Sequence, residues 1–191
     1  QYMQEPAPLE GGEWRKDWFN VINKAELPAD VNWEMFIDGA YTKDTRNDPT
    51  GIQISGKSGD NLYILKSIDK YLEMPELKQF IESFVKSCGV HVQQILVEPK
   101  ASGKSLVQLL RRETNFNVSE LKTDFVKFSK IERARASSPF LEGGRVYLVK
   151  DNWNDAYLQQ VSTFPNAKHD EHIDVTSYAI ERNLLKRFFV V

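Results

Sequence analysis

Cysteine is nearly missing from this chain: Cys88 is the single one among 191 residues, so no internal disulfide can form. Long apolar runs are missing as well. None approaches the ~20 residues of a bilayer span, which excludes a membrane-spanning helix read from hydropathy. No charged and apolar leader opens the chain, so no secretory signal is read and a reducing, cytoplasmic compartment is expected. Net charge is close to absent too: 25 Lys and Arg against 27 Asp and Glu leave −2. Bulk electrostatics therefore do not announce a nucleic-acid partner, and any such partner must be met by a local basic surface. Internal repeats and low-complexity tracts are also lacking.

What is present fits a soluble globular protein, with 41% hydrophobic and 27% charged residues and a length suited to one domain. The chain opens on Gln1 rather than Met, and its first stretch, QYMQEPAPLEGGEW, is rich in turn formers. A piece of a longer polypeptide is expected, with residues 1–32 as an arm packing on a domain formed by residues 33–191.

Trp33 to Tyr41 (WEMFIDGAY) is an apolar run closed by turn formers, which predicts a buried strand with Asp38 inside it. Thr50 to Ser55 alternates apolar and polar residues, GKSGDN makes a turn, and LYILKSIDKYL makes a third strand, so an antiparallel meander is expected. Pro75 then opens an amphipathic helix, whose apolar positions Leu77, Phe80, Ile81, Phe84 and Val85 recur at helical spacing before Gly89. His91 to Val97 predicts a strand leading into Glu98, and a short helix follows Gly103. Further along, Val118 to Leu121 and Gly144 to Val149 read as strands. Thr123 to Ala136, Asn154 to Thr163 and Asp174 to Phe188 read as helices.

Gly51 to Ser58 (GIQISGKS) matches the Walker A pattern letter for letter. The context contradicts a nucleotide loop. A phosphate-binding loop needs a helix after its Lys-Ser, so that backbone N–H groups face the phosphates. Here Ile52 and Ile54 give a strand pattern, and Ser58-Gly59-Asp60-Asn61 turns into another strand, so a hairpin that binds no ATP is expected.

Three acidic positions interrupt or follow apolar segments, where a carboxylate is costly to bury without a cation or a hydrogen-bonding partner. They are Asp38, Glu98 and the cluster Asp170, Glu171, Asp174. Taken singly, each acid also suits a turn or a helix cap. Taken together, a β-β-β-α-β order can place the strands of Asp38 and Glu98 side by side and converge carboxylates on one point. Such oxygen ligands suit hard divalent cations, and two ions about 4 Å apart can activate water and stabilise the leaving oxygen of a phosphodiester. In HDEHID, Asp170 and Asp174 share a helix face, with Asp170 expected nearest the metal and Glu171 turned to solvent or to a basic side chain.

Lys100, Lys104, Lys130, Arg133 and Arg135, with Lys127, Arg111 and Arg112, are candidates for DNA phosphate contacts, or else a solvated charged face. His169 and His172 are expected to cap or support the site rather than to ligate metal. Trp14, Trp18, Phe19 and Trp33 are expected in the core.

In chain order, FIDGAYT, ILVEPKASGKSL, the basic stretch KIERARA, GRVYL and the ending FPNAKHDEHIDVTSYAI resemble the nuclease half of phage terminase large subunits. The resemblance runs from about Met35 to Ala179. It implies an α/β, RNase H-like fold: a central mixed five-stranded sheet, three antiparallel strands then parallel ones, flanked by helices. It implies an endonuclease using two Mg²⁺ or Mn²⁺ ions to cut double-stranded viral DNA concatemers in the host cytoplasm, with portal protein and small terminase subunit as partners. Asp38, Glu98 and Asp170 fall on the family's catalytic acids, and Asp174 is added as a metal ligand. The family ending has Asp-Asp after His, where this chain has Asp170-Glu171. Another RNase H-like nuclease, such as a junction resolvase or transposase, would share the acids. A non-catalytic module docking a portal or capsid through Lys186 to Phe189 is the reading from a different class.

Overall fold

The computed structural model of the chain describes residues 12–39, 41 and 48–185. The start of the arm, the tail from Lys186 to Phe189 and the expected end of the last helix lie outside the described residues.

Among the described residues one sheet of seven strands forms: β1 (Asn20–Ile22), β2 (Asn32–Asp38), β3 (Thr50–Ser58), β4 (Asn61–Lys70), β5 (Val92–Val97), β6 (Val118–Glu120) and β7 (Val146–Val149). Their order across the sheet is β1-β7-β4-β3-β2-β5-β6. β2, β3 and β4 make the antiparallel meander, while β5 runs parallel to β2, β6 to β5, β7 to β4 and β1 to β7. The expected five strands therefore become seven. Part of the difference comes from the arm, whose Asn20–Ile22 pairs with β7 although three residues are too few to show a period.

Side chains alternate across each strand, and that alternation divides the core in two. Met35, Ile37, Ile52, Ile54, Ile95 and Val97 pack with Leu77 and Ile81 of α1 (Met74–Cys88) and Leu106 of α2 (Ala101–Glu113). Phe36, Leu62, Ile64, Leu96 and Leu148 face the other way. There they meet α3 (Lys130–Glu142), α4 (Asn154–Thr163) and α5 (Glu171–Ile180). Trp14 and Phe19 are buried in that second half of the core, and Trp33 in the first.

Gly51 to Ser58 is strand β3, and Gly59-Asp60 turns directly into β4, so no helix N-terminus follows Lys57-Ser58. Lys57 instead donates to the carbonyl of Asn183 at 2.5 Å. Two helices start elsewhere than their patterns predict. The stretch expected as one helix from Thr123 holds a single 3₁₀ turn at Phe125–Lys127, and α3 begins at Lys130 behind Ser129. Ser129 and Glu132 form a reciprocal capping box there, a motif visible as S-x-x-E in the sequence. The last helix begins at Glu171 rather than Asp174, with Asp170 as its cap, and widens into a π turn over Glu181–Leu185.

Candidate active site

Asp38 closes β2 and Glu98 directly follows β5, its parallel neighbour. Phe36 pairs with Leu96 and Ile37 with Val97, and the Glu98 N–H donates to the Ile37 carbonyl at 2.9 Å. The two acids thus end adjacent strands in register. By alternation from Phe36 and Leu96, both face the side covered by α3 and α5. Gly103 lets α2 approach behind them, since a Cβ there would stand 2.2 Å from the Glu98 carbonyl oxygen.

From the covering side, α5 brings Asp174 and Tyr178, one turn apart. Tyr178 donates to Glu98 at 2.5 Å, and Arg133 of α3 donates to the Tyr178 hydroxyl. Arg133 also meets Asp174 at 2.7 Å and lies 3.9 Å from Glu98. Lys100 lies 3.2 Å from Asp38 and 2.5 Å from Glu98, and Lys130 bridges Asp170 and Asp174, 2.8 Å from the latter. Asp38, Glu98, Glu171 and Asp174 are all buried, at 3–4% exposure, which is unusual for carboxylates unless paired.

Asp38 acts on the charge of both Glu98 and Asp174. Burial opposes ionisation of Asp38, but its hydrogen bond with Glu98 and the Lys100 ammonium outweigh it and hold the carboxyl below its usual range. Burial, with Asp38 adding to it, pushes Glu98 up to about 7. Burial and the charge of Asp38, against Lys130 and Arg133, put Asp174 at about 6. Burial again, with Asp69 and Asp170 nearby, lifts Glu171 to about 8. Among the described residues, neither oxygen of Glu171 has a hydrogen-bond partner outside its own backbone. A cluster in which carboxylates resist full ionisation is one that a multivalent cation would relieve.

The expected site residues separate into groups. Asp38, Glu98 and Asp174 come together, while Asp170 stays at the rim, 29% exposed and held by Lys130. The order expected for the HDEHID acids is thus reversed in depth. Glu171, expected to face solvent or a basic side chain, is buried and lines a cavity of about 250 Å³ with Asp38, Asp48, Lys100, Lys130 and Asp174. Of the basic candidates, Arg133 is an internal counter-ion, whereas Arg135 is 67% exposed on an ion pair with Glu13 and Lys104 is exposed in the first turn of α2, its N–H on the Lys100 carbonyl. Arg111 donates to the Val118 carbonyl, and Arg112 and Lys127 pair locally with Glu113 and Asp124.

Tyr178, Asp48 and Tyr41 are missed by pattern reading. Tyr178 carried a signal, standing four residues after Asp174 and so on the same helix face. Tyr41 has a left-handed backbone, φ 52°, and its hydroxyl is kept protonated by burial and by the charges of Asp38 and Glu98.

A helix-flanked mixed sheet with buried acids at the ends of its adjacent central strands defines an RNase H-like domain. Residues 35–183 match the family described as Terminase RNaseH-like domain, and the chain belongs to that family. No curated protein sequence matches it. Among solved structures, it is similar to the large terminase of a thermophilic bacteriophage, with 15% identity and a TM-score of 0.63 over 91% of this chain and 44% of that one. It thus spans less than half the length of that relative. The g2p large terminase nuclease domain of bacteriophage SPP1 with bound Mn gives 15% identity and a TM-score of 0.57, covering 88% of this chain and 98% of that one. The large terminase nuclease of thermophilic phage G20c with bound zinc gives 13% and 0.57, covering 87% and 95%, and has also been solved with magnesium. Among the described residues no helix is long and apolar enough to cross a membrane.

Proposed function

We propose that this chain is the nuclease domain of a terminase large subunit, a two-metal-ion endonuclease that cuts double-stranded viral DNA concatemers when genome packaging starts and ends. The observation that carries the reading is the buried junction of Asp38, Glu98 and Asp174, three acids from three elements held together by Lys100, Lys130 and Arg133. The donor set fits Mg²⁺ or Mn²⁺, being all oxygen, and the raised carboxyls of Glu98 and Asp174 are what such ions would ionise. Metal-bound nuclease domains of SPP1 and G20c support the same choice of ion class.

Asp38, Glu98 and Asp174 would hold the ions, with Asp170 at the rim as a further oxygen donor. Bound there, divalent ions supply Lewis acidity and a water of lowered pKa for attack on phosphorus. The chain's own residues do the positioning. Tyr178 and Arg133 fix the Glu98 carboxylate by a donor chain that ends on it. Lys100 is 58% exposed on a flexible arm, so it can leave the acids for a phosphate oxygen of the substrate. Lys104, Lys130 and Arg135 are the proposed contacts to the DNA backbone, and portal protein and small terminase subunit are the partners this role requires.

Supercoiled plasmid with Mg²⁺ or Mn²⁺ is the direct assay. Nicked and linear products that vanish in excess chelator are expected. Strong preference for a four-way junction over linear duplex would move the chain to the resolvases, and no cleavage with any divalent ion would leave a docking module.

A further inference from the structure

Four large apolar side chains are exposed among the described residues: Val21, Val126 at 44%, Phe128 at 48% and Ile131 at 36%. Three of the four fall within six residues of chain. Exposed apolar groups scattered singly are ordinary, whereas a contiguous cluster marks a contact surface. This one stands beside the candidate cutting centre. Lys130, which lies between Phe128 and Ile131 in the chain, bridges Asp170 and Asp174, and Phe128 is two residues, at most ~7 Å of backbone, away from it.

The local sequence explains why Phe128 is left outside. It directly precedes the Ser129 and Glu132 capping box, a position from which an apolar residue usually packs on the fourth residue of the helix. That fourth residue is Arg133, which turns inward to Asp174 and Tyr178, so the apolar staple is not made. The turn that carries the ring is fixed all the same. The Asp124 N–H donates to Glu181 at 3.0 Å, the Thr123 hydroxyl donates to the same carboxylate, and the Phe125 N–H donates to the Thr123 hydroxyl at 2.9 Å. The buried Phe125 ring meets Phe128 in a T-shaped contact, with centroids 6.2 Å apart.

We propose that Phe128, backed by Ile131, stacks on an unpaired nucleobase of the strand held at the Asp38, Glu98 and Asp174 centre and so positions that strand for cutting. This rests on the nuclease reading. Charge complementarity selects a nucleic acid as the occupant, because Lys127 and Lys130 flank the ring and an aromatic platform between cations suits a base and its phosphates. Lys127 is 73% exposed and pairs only with the equally exposed Asp124, so exchanging that partner for a phosphate costs little. Every base has a stacking face, so the contact adds affinity without reading sequence and favours cutting where base pairs open.

Fluorescence anisotropy, with Ca²⁺ in place of Mg²⁺, compares a labelled oligothymidine with an abasic strand of the same length, which keeps the phosphates and lacks the bases. The wild type is expected to bind the oligothymidine at least about fivefold more tightly. Phe128→Ala, checked for native circular dichroism, should lose most of that preference while its slope of log affinity against log salt stays as in the wild type, since no phosphate contact is removed. Phe128→Trp should keep the preference. Equal wild-type affinity for the two strands, a preference that survives in Phe128→Ala, or a Phe128→Trp that behaves like Phe128→Ala would each overturn the proposal. A base preference lost in Phe128→Ala, in a chain that cuts no plasmid with any divalent ion, would count against the nuclease reading alone.

Discussion

Arg133 meets Asp174 at 2.7 Å inside the protein, with 10% and 4% of their side chains exposed. In the sequence this arginine belongs to a basic run that suits DNA. In the structure it is the counter-ion of a buried acid and the donor to Tyr178. Removing one partner of a buried pair leaves the other charge uncompensated, at a cost of about 3–5 kcal/mol. Arg133→Ala should therefore lower the urea midpoint strongly in metal-free protein. Arg135→Ala, on an exposed pair with Glu13, should change stability by less than about 1 kcal/mol. Equal effects at the two positions would contradict the assignment.

Charge reversal separates phosphate contacts from internal ones. Lys104→Glu and Arg135→Glu should weaken duplex binding and each flatten the slope of log affinity against log salt by about one. A slope that stays as in the wild type would mean that these side chains are solvated face and touch no phosphate.

The raised carboxyls make a signed prediction for pH. Asp174 at about 6, Glu98 at about 7 and Glu171 at about 8 bind protons more tightly when folded than when unfolded. Their contribution is full below the ordinary carboxylate pKa of about 4 and is lost as pH rises through those three values. Asp38, held low, acts in the opposite sense and only in acid. In chelator, the melting temperature should fall between pH 5.5 and 8.5. Mn²⁺ should restore more of it at the higher pH, because the ion displaces protons there. A metal-induced shift that stays constant across that range would argue against binding at these acids.

Glu171→Gln keeps the shape of the side chain and removes the charge that burial resists. The metal-free protein should gain stability at pH 8, where the native carboxyl is half ionised and costly, and should bind Mn²⁺ more weakly. A melting temperature in chelator that does not rise would mean Glu171 already finds a partner in solution.

The meeting of Asp38 and Glu98 was legible through strand order, which brings their two strands together, since either acid taken singly also suits a turn or a cap. The meander and α1 were legible through strong periodicity. Arg133 was not. Helix α3 buries Arg133, Ala134 and Ser137 beside exposed charges, so no apolar stripe tells which face is inward. Of the two surroundings expected for Glu171, solvent is excluded because every residue of α5 from Glu171 to Ile180 is buried, while Lys130 shares its cavity.

The central claim is that Asp38, Glu98 and Asp174 form one metal-dependent cutting centre. Single-turnover cleavage of duplex DNA in Mn²⁺ by Asp38→Asn, Glu98→Gln and Asp174→Asn, each checked for native circular dichroism, tests it most directly. The account predicts a loss of at least 100-fold in rate for every one of the three with the fold intact, and no cutting by the wild type in excess chelator. Folded variants of Asp38 and Glu98 that cut at the wild-type rate, or cleavage that persists in chelator, would contradict it.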